Sequence, residues 1–345
     1  MDKKKLITSL VFIIIVGAVI ISLTVSKKSY AVGTTLVDTV KALNKGSSWS
    51  AGASGVYYTN SHEYRYIGAE VNNYVSFNND LYRIIGVFDN NSHGVSGTEM
   101  VKLIRARTLG ETTWGVYNTD SSKGTYSGWA NDWTGKSKTS KANLNVLLNE
   151  YFYNKTDTSS TYGSCANWTY YGDNNSYKTK DCSDIIAYGI DSSLRGYIEN
   201  ATWYLYGGTK QSKQNWYLCE RGGNSCTPSG PNQGDASVIS KMGLMYLSDY
   251  LYASGYYSST DTSTQDQSYF GNKNWLYKGC EWTQTPSASN ATSVKPVGYG
   301  YISNSYTKEP KGWRPTFYLK SSVYVTGGNG SFDNPYTIAC DNCTE

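Results

Sequence analysis

The chain has 345 residues, 39% of them hydrophobic and 14% aromatic, and its 33 Tyr far outnumber its 7 Phe. Its formal charge of +4 comes from the first 33 residues, which hold five of the 31 basic and one of the 27 acidic residues. The remainder is neutral and presents no basic field, which excludes nucleic acid as an expected partner. Its length suffices for one large core or two small ones.

The chain begins with an uncharged, apolar run at residues 6–25. Roughly 20 such residues cross a bilayer as a helix. Lysines at 3–5 precede the run, so we expect the N-terminus inside and the rest outside the cell. A cleaved signal peptide is the alternative, because residues 29–31 form a small-x-small site. Residues 1–33 are thus predicted to be an anchor to the cytoplasmic membrane, or a signal segment that leaves the protein secreted.

Residues 34–56 are predicted to be a short helix and linker, and residues 57–345 the extracellular domain. Apolar spacing predicts further helices at 138–153 and 191–204, separated and followed by long polar loops. Strand patterns indicate a β-meander and a final strand before a glycine-rich turn. These predicted strands are Tyr74–Phe77, Leu81–Phe88, Met100–Arg105 and Pro315–Val325.

All seven cysteines lie in the second half of the chain, and disulfides are the default in an exported protein. Cys165 with Cys182 and Cys219 with Cys226 are predicted as sequence-local pairs. Cys280 is expected to pair with Cys340 or Cys343, which leaves one thiol over. A redox-active Cys-x-x-Cys or half of a zinc site is the alternative for the last two, although the chain lacks a second such pair.

Several segments, in this order, resemble an uncharacterised extracellular domain family of Firmicutes and related gut bacteria, over roughly residues 57–338. They are YRYIGAEVNNYVSFNNDLYRIIGVF, VKLIR, NLNVLLN, ATWYL, KMGLMYLSDYLYA, NWL and RPTFYLKSSVYVTGGNGSFDNPYTI. That family is distantly similar to the sulfatase-modifying-factor, or formylglycine-generating-enzyme, fold. The resemblance rests on the order of the motifs, since none of them is catalytic by itself.

The resemblance implies an α+β, C-type-lectin-like domain with a small twisted antiparallel sheet, two main helices and long loops, preceded by a single transmembrane helix. It also implies structural roles for Trp313, Arg314 and Pro315, which match the family's closing Gly-aromatic-Arg-Pro element. The catalytic cysteines of formylglycine generation cannot be matched to Cys340 and Cys343. No catalytic residue is therefore predicted.

Aromatic side chains beside hydrogen-bonding ones are typical of sugar and protein recognition. The candidate ligand-binding residues are Trp129, Asp132, Trp133, Glu281 and Trp282. They favour a non-enzymatic surface module that binds a glycan or protein. A formylglycine-generating-type oxygenase, a carboxylate-based hydrolase and a structural envelope protein are the alternatives. No cofactor or metal site is predicted; calcium stays an option because Asp and Asn abound in the loops, without EF-hand spacing.

Overall fold

The computed structural model describes residues 33–50, 52–114, 133, 142–155, 169–171, 177–179, 183–207, 212–223, 227–228, 236–255, 273–287, 293–298, 301–302, 304–307 and 309–345. Residues 35–345 belong to one compact unit. Its helices in the described ranges are α1 Leu36–Ala42, α2 Asn90–His93, α3 Asn143–Val146, α4 Ser183–Ala187, α5 Ser192–Arg195, α6 Lys213–Glu220 and α7 Leu247–Tyr252, with a π-helical stretch Leu147–Tyr153 directly after α3.

The strands in the same ranges are mostly short, and a minority of them build the main sheet. In chain order they are β1 Gly55–Tyr58, β2 Tyr64–Ile67, β3 Tyr74–Phe77, β4 Asp80–Phe88, β5 Met100–Arg105, β6 Glu111–Thr112, β7 Thr169–Tyr171, β8 Tyr177–Thr179, β9 Ala201–Tyr204, β10 Tyr206–Gly207, β11 Thr227–Pro228, β12 Ser237–Ser240, β13 Ser293–Val294, β14 Val297–Gly298, β15 Tyr301–Ile302, β16 Ser305–Tyr306, β17 Lys311–Gly312, β18 Thr316–Tyr318, β19 Tyr324–Gly327 and β20 Tyr336–Ala339.

Strand β4 organises the main sheet, which has eight strands in the path β1-β2-β4-β3-β20-β19, with β5 and β18 continuing from β4. One edge of β4 pairs with β5, while its other edge pairs first with β3 and then with β2. The β4–β5 register shifts between Ile84 and Gly86, which is the irregularity that bends a strand. A Cβ at Gly86 would lie 2.2 Å from the Tyr64 carbonyl oxygen, so only glycine permits this close approach.

One continuous hydrophobic core lies against this sheet, and helix α1 contributes Leu36 and Val40 to it. The predicted stripe of residues 144, 147, 148, 151 and 152 is buried as expected, because α3 and the π-helical stretch present one face to the core. Residues 138–141 of that predicted helix lie outside the described residues. The predicted meander also forms, as the antiparallel pairs of β3 with β4 and β4 with β5.

Two predicted elements are wrong. The helix expected over 191–204 is only the short α5, and the chain then extends into β9, which pairs with β12. Backbone contacts between residues 198–199 and 318–319 pull the chain away from helical geometry. The strand expected over 315–325 divides into β18 and β19, because the Val323 amide donates to the Lys320 carbonyl and closes a turn.

The fold class predicted from the sequence is corrected as well. The expected transmembrane helix at residues 6–25 lies outside the described residues, and no helix within the described ranges combines the length and apolar character needed to cross a membrane. The structure is a mixed α+β fold on a curled sheet. Short helices, rather than two main ones, surround that sheet.

Candidate functional site

A groove of about 700 Å³ opens beside β3, and it is the candidate functional site. Its floor contains Arg83 and Trp275, and its walls include Tyr74, Lys278 and Phe332. These side chains come from β3, β4, the 273–279 segment and the turn between β19 and β20. We call this feature the β3 groove.

The register of two neighbouring strands sets the centre of the groove. Tyr74 lies opposite Arg83 in the β3–β4 pair, so both side chains point to the same face of the sheet. The Arg83 guanidinium carbon lies 4.3 Å from the Tyr74 ring centroid and 4.5 Å from the Trp275 ring. The guanidinium is therefore held between two aromatic faces, an arrangement that arginine favours.

Neutral oxygen atoms accept the hydrogen bonds of this buried cation. Arg83 donates from Nε to Asn73 Oδ1 (2.7 Å), from Nη1 to the Trp275 carbonyl (3.0 Å) and from Nη2 to the Val71 carbonyl (3.3 Å). Among the described residues, the ion pairs do not include Arg83. Burial lowers the pKa of Arg83 to about 10, which still leaves the guanidinium charged at neutral pH, so the groove has a positive floor.

An exposed aromatic ring stands at the rim. Phe332 is 60% exposed, and its ring meets the Tyr74 ring edge-on with 5.5 Å between centroids. The turn that carries it is tied to β3 by the Tyr74 amide, which donates to the Gly330 carbonyl. Gly328 and Gly330 have φ of +81° and +77°, a conformation that favours glycine and that shapes this turn.

Further charged side chains line the groove. Lys45 and Lys278 contribute positive charge and Glu70 negative charge, so together with Arg83 the lining has a positive excess. Partial burial lowers the pKa of Lys278, and the nearby charges of Arg314 and Arg83 lower it further. The β3 groove thus combines aromatic faces with hydrogen-bonding groups and a local preference for anions.

The residues predicted from the sequence to bind a ligand lie elsewhere. Trp133, Glu281 and Trp282 are at most 1% exposed, and Trp129 and Asp132 lie outside the described residues. Trp114 brings two of the three together, with its ring centroid 5.1 Å from Trp133 and 6.0 Å from Trp282. Their assignment to a ligand-binding surface is therefore corrected for these three residues, because their side chains are core.

The closing motif forms a buried ion pair. Arg314 donates from Nε and Nη2 to the two carboxylate oxygens of Glu281, each at 2.7 Å, and from Nη2 to the Leu276 carbonyl at 2.6 Å. Trp313, just before it, is 1% exposed. These contacts tie the segment that precedes β18 to the 276–281 segment. The Pro315 carbonyl accepts a hydrogen bond from the Arg105 amide.

The cysteine pairing differs from the prediction. Cys340 forms a disulfide with Cys343, and Cys280 is a free cysteine within the described residues. The expected bond from Cys280 to either of them is therefore wrong. The short Cys-x-x-Cys turn already brings Cys340 and Cys343 within bonding distance. Cys219 is disulfide-bonded, whereas its predicted partner Cys226 and the pair Cys165 and Cys182 lie outside the described residues.

Metal ligation has no candidate cluster in the part of the chain that the structure describes, where no three His, Cys, Asp or Glu residues are placed to hold an ion.

Reasoning from the sequence missed the β3 groove because its residues are far apart in the chain. One signal was present: Arg83 interrupts an otherwise apolar strand, and a charged residue in such a position is informative.

No family model, no curated protein and no solved structure matches this chain.

Proposed function

We propose that this protein is an exported, non-enzymatic binding module that recognises an acidic glycan through the β3 groove. The observation that carries the proposal is the buried Arg83 cation, which lies between two aromatic rings and, within the described residues, donates its hydrogen bonds to neutral oxygens. A carboxylate on a sugar would provide the missing negative charge. The ring of Phe332, exposed at the rim, offers a flat apolar face on which a sugar ring can stack.

Two observations support the location and the ligand class. The Cys340–Cys343 disulfide and the bonded state of Cys219 are typical of an oxidising compartment outside the cytosol. Exposed Asn72, Glu70 and Lys278 add donors and acceptors along the groove, which suit the many hydroxyl groups of a glycan.

A glycan array that contains matched acidic and neutral sugars tests the proposal, followed by titration calorimetry on the best ligand. We expect binding to uronic-acid or sialic-acid glycans and weaker binding when their carboxylates are reduced to alcohols. The result that contradicts the proposal is a folded protein that binds no glycan above background, or one that binds neutral and acidic forms equally.

A charge reversal locates the binding surface. Lys278→Glu is expected to weaken binding of the acidic glycan, because it places a carboxylate on the groove wall. Arg107→Glu is the matched control, since Arg107 is exposed and does not line the groove. Equal effects of the two substitutions would show that binding occurs at another surface or responds only to the protein's net charge.

A further inference from the structure

A second group of charges is enclosed in the core, away from the lining of the β3 groove. We call it the charge cluster, and it consists of three cations and three carboxylates: Arg65, Lys102, Arg221, Glu63, Glu220 and Asp249. Their side chains are at most 1% exposed except that of Arg221, at 7%. The cluster is formally neutral. Burying a charge without a partner of opposite sign is costly, so neutrality stabilises such a cluster.

The closest contact between Lys102 and a carboxylate in this cluster joins two rigid elements. Lys102 Nζ, on β5, lies 2.6 Å from Asp249 Oδ2, on α7, and both side chains are fully buried. Around the amine are four aromatic rings, with centroids 4.5–5.5 Å from Nζ: Phe88, Trp203, Tyr246 and Tyr318. The pair is therefore enclosed by apolar surface.

Hydrogen bonds hold the Asp249 carboxylate in one orientation. Oδ1 accepts from Arg65 Nη1 at 2.8 Å, and Oδ2 accepts from the Tyr246 amide at 2.8 Å. Arg65 is itself fixed by a hydrogen-bonded ion pair with Glu63. Such fixed orientation of two reacting groups removes much of the entropy barrier to a reaction between them.

The surroundings also favour the nucleophilic form of the amine. Burial lowers the pKa of Lys102 to about 8, and the charges of Arg221 and Arg65 act in the same direction, while Asp249 opposes them. A desolvated lysine beside other cations is a known form of activated nucleophile. Arg65 is placed to stabilise negative charge on Asp249 Oδ1 as a bond forms at the carboxyl carbon.

We propose that Lys102 and Asp249 condense into an intramolecular amide crosslink. The ammonium transfers one proton to Asp249 Oδ2, and the neutral Nζ attacks the carboxyl carbon. The resulting tetrahedral oxyanion at Oδ1 accepts the hydrogen bond from Arg65. A second proton moves from Nζ to Oδ2, the bond from the carboxyl carbon to Oδ2 breaks, and water leaves.

The overall change is balanced and needs no other reactant. One ammonium and one carboxylate become one amide and one water, without oxidation or reduction. One buried charge of each sign disappears, and the remaining Arg65, Arg221, Glu63 and Glu220 are again neutral in sum. The product would join residues 147 positions apart, tying β5 to α7.

Tryptic mapping of the full-length protein, after reduction and alkylation of its cysteines, tests the crosslink. An acylated lysine resists trypsin, so we expect residues 84–105 to be recovered joined to residues 242–273, with a mass lower than their sum by one water. Fragmentation should place the branch at Lys102 and Asp249. Recovery of only linear peptides 84–102 and 242–273 would overturn the proposal, as would loss of the water from any other pair.

Two comparisons make the test specific. Lys102→Met should give linear peptide 242–273, and a variant that still lacks the mass of water in that peptide would contradict the assignment. Lys41 and Glu99 provide an internal control, because their N–O distance is also 2.6 Å but both side chains are at least 33% exposed. We expect no crosslink there, since water stabilises both ions. The wild-type map decides the question even if the variant fails to fold.

Discussion

The β3 groove and the charge cluster use the same sheet to bury arginine in opposite ways. In the cluster, Arg65 lies between two carboxylates, Glu63 and Asp249, and is closed off from water. In the groove, Arg83 is 5% exposed and bonds to two carbonyls and an amide oxygen, next to open space. The difference teaches that a buried cation can be neutralised by carboxylates, as in the cluster, or held by neutral oxygens, as in the groove, which is where we propose that an anionic ligand binds.

The largest expected effect is a loss of stability in the charge cluster. Asp249→Ala removes the carboxylate shared by Lys102 and Arg65, and with it the proposed crosslink, so it should lower the free energy of unfolding by at least roughly 3–5 kcal/mol. Urea denaturation followed by circular dichroism measures it. Glu99→Ala, which removes the exposed partner of Lys41, is the control and should cost less than about 1 kcal/mol. Similar small losses in both variants would show that the cluster contributes little.

Trp282→Ala tests the correction of the sequence-based site. The Trp282 indole donates to the Thr112 carbonyl at 2.8 Å and its side chain is core, so its removal should cost about 3 kcal/mol by leaving a cavity. Glycan affinity of the variant, measured below its melting temperature, should equal that of the wild type. A selective loss of binding with unchanged stability would restore Trp282 to the ligand surface.

Phe332→Ala is the reciprocal experiment in the β3 groove. Stability should change by no more than about 0.5 kcal/mol, because the ring is mostly exposed. Affinity for the acidic glycan should fall about tenfold, which corresponds to ~1.4 kcal/mol of lost stacking. Tyr306→Ala, at another exposed aromatic residue, should leave affinity unchanged. If calorimetry showed that Phe332→Ala binds as tightly as Tyr306→Ala, it would contradict the assignment of glycan binding to the β3 groove.

The smallest effect concerns pH. Burial and the charges of Arg314 and Arg83 lower the pKa of Lys278, which is charged below that pKa and neutral above it. Binding of an anionic glycan should therefore weaken a few-fold as pH rises through the lowered value, below the range of an ordinary lysine. Lys278→Met should remove that step in calorimetric titrations across alkaline pH. A step of the same size in the variant would assign it to another group.

Local pattern predicted the elements whose burial has a simple period. Helix α1, the β3–β4–β5 meander and the buried stripe of residues 144–152 all form, since apolar spacing of 3.6 or continuous apolar runs dictate them. The helix predicted over residues 191–204 is wrong, because Ala201 and Trp203 are buried by the alternating pattern of strand β9 and not by a helical stripe. The predicted ligand surface fails at Trp133, Glu281 and Trp282 for a related reason: aromatic residues that neighbour polar ones in the sequence can be buried in the core.

By itself, the sequence determined the neutral net charge of residues 34–345, the position of the cysteines and the local preference of the longest regular elements. Only the tertiary structure decided which charges meet. Trp275 reaches Arg83 across 192 positions, and Asp249 reaches Lys102 across 147. Such pairs depend on strand register and on the closure of long loops, which composition and periodicity do not encode. The same geometry separates a cation that faces the β3 groove from one enclosed in the charge cluster.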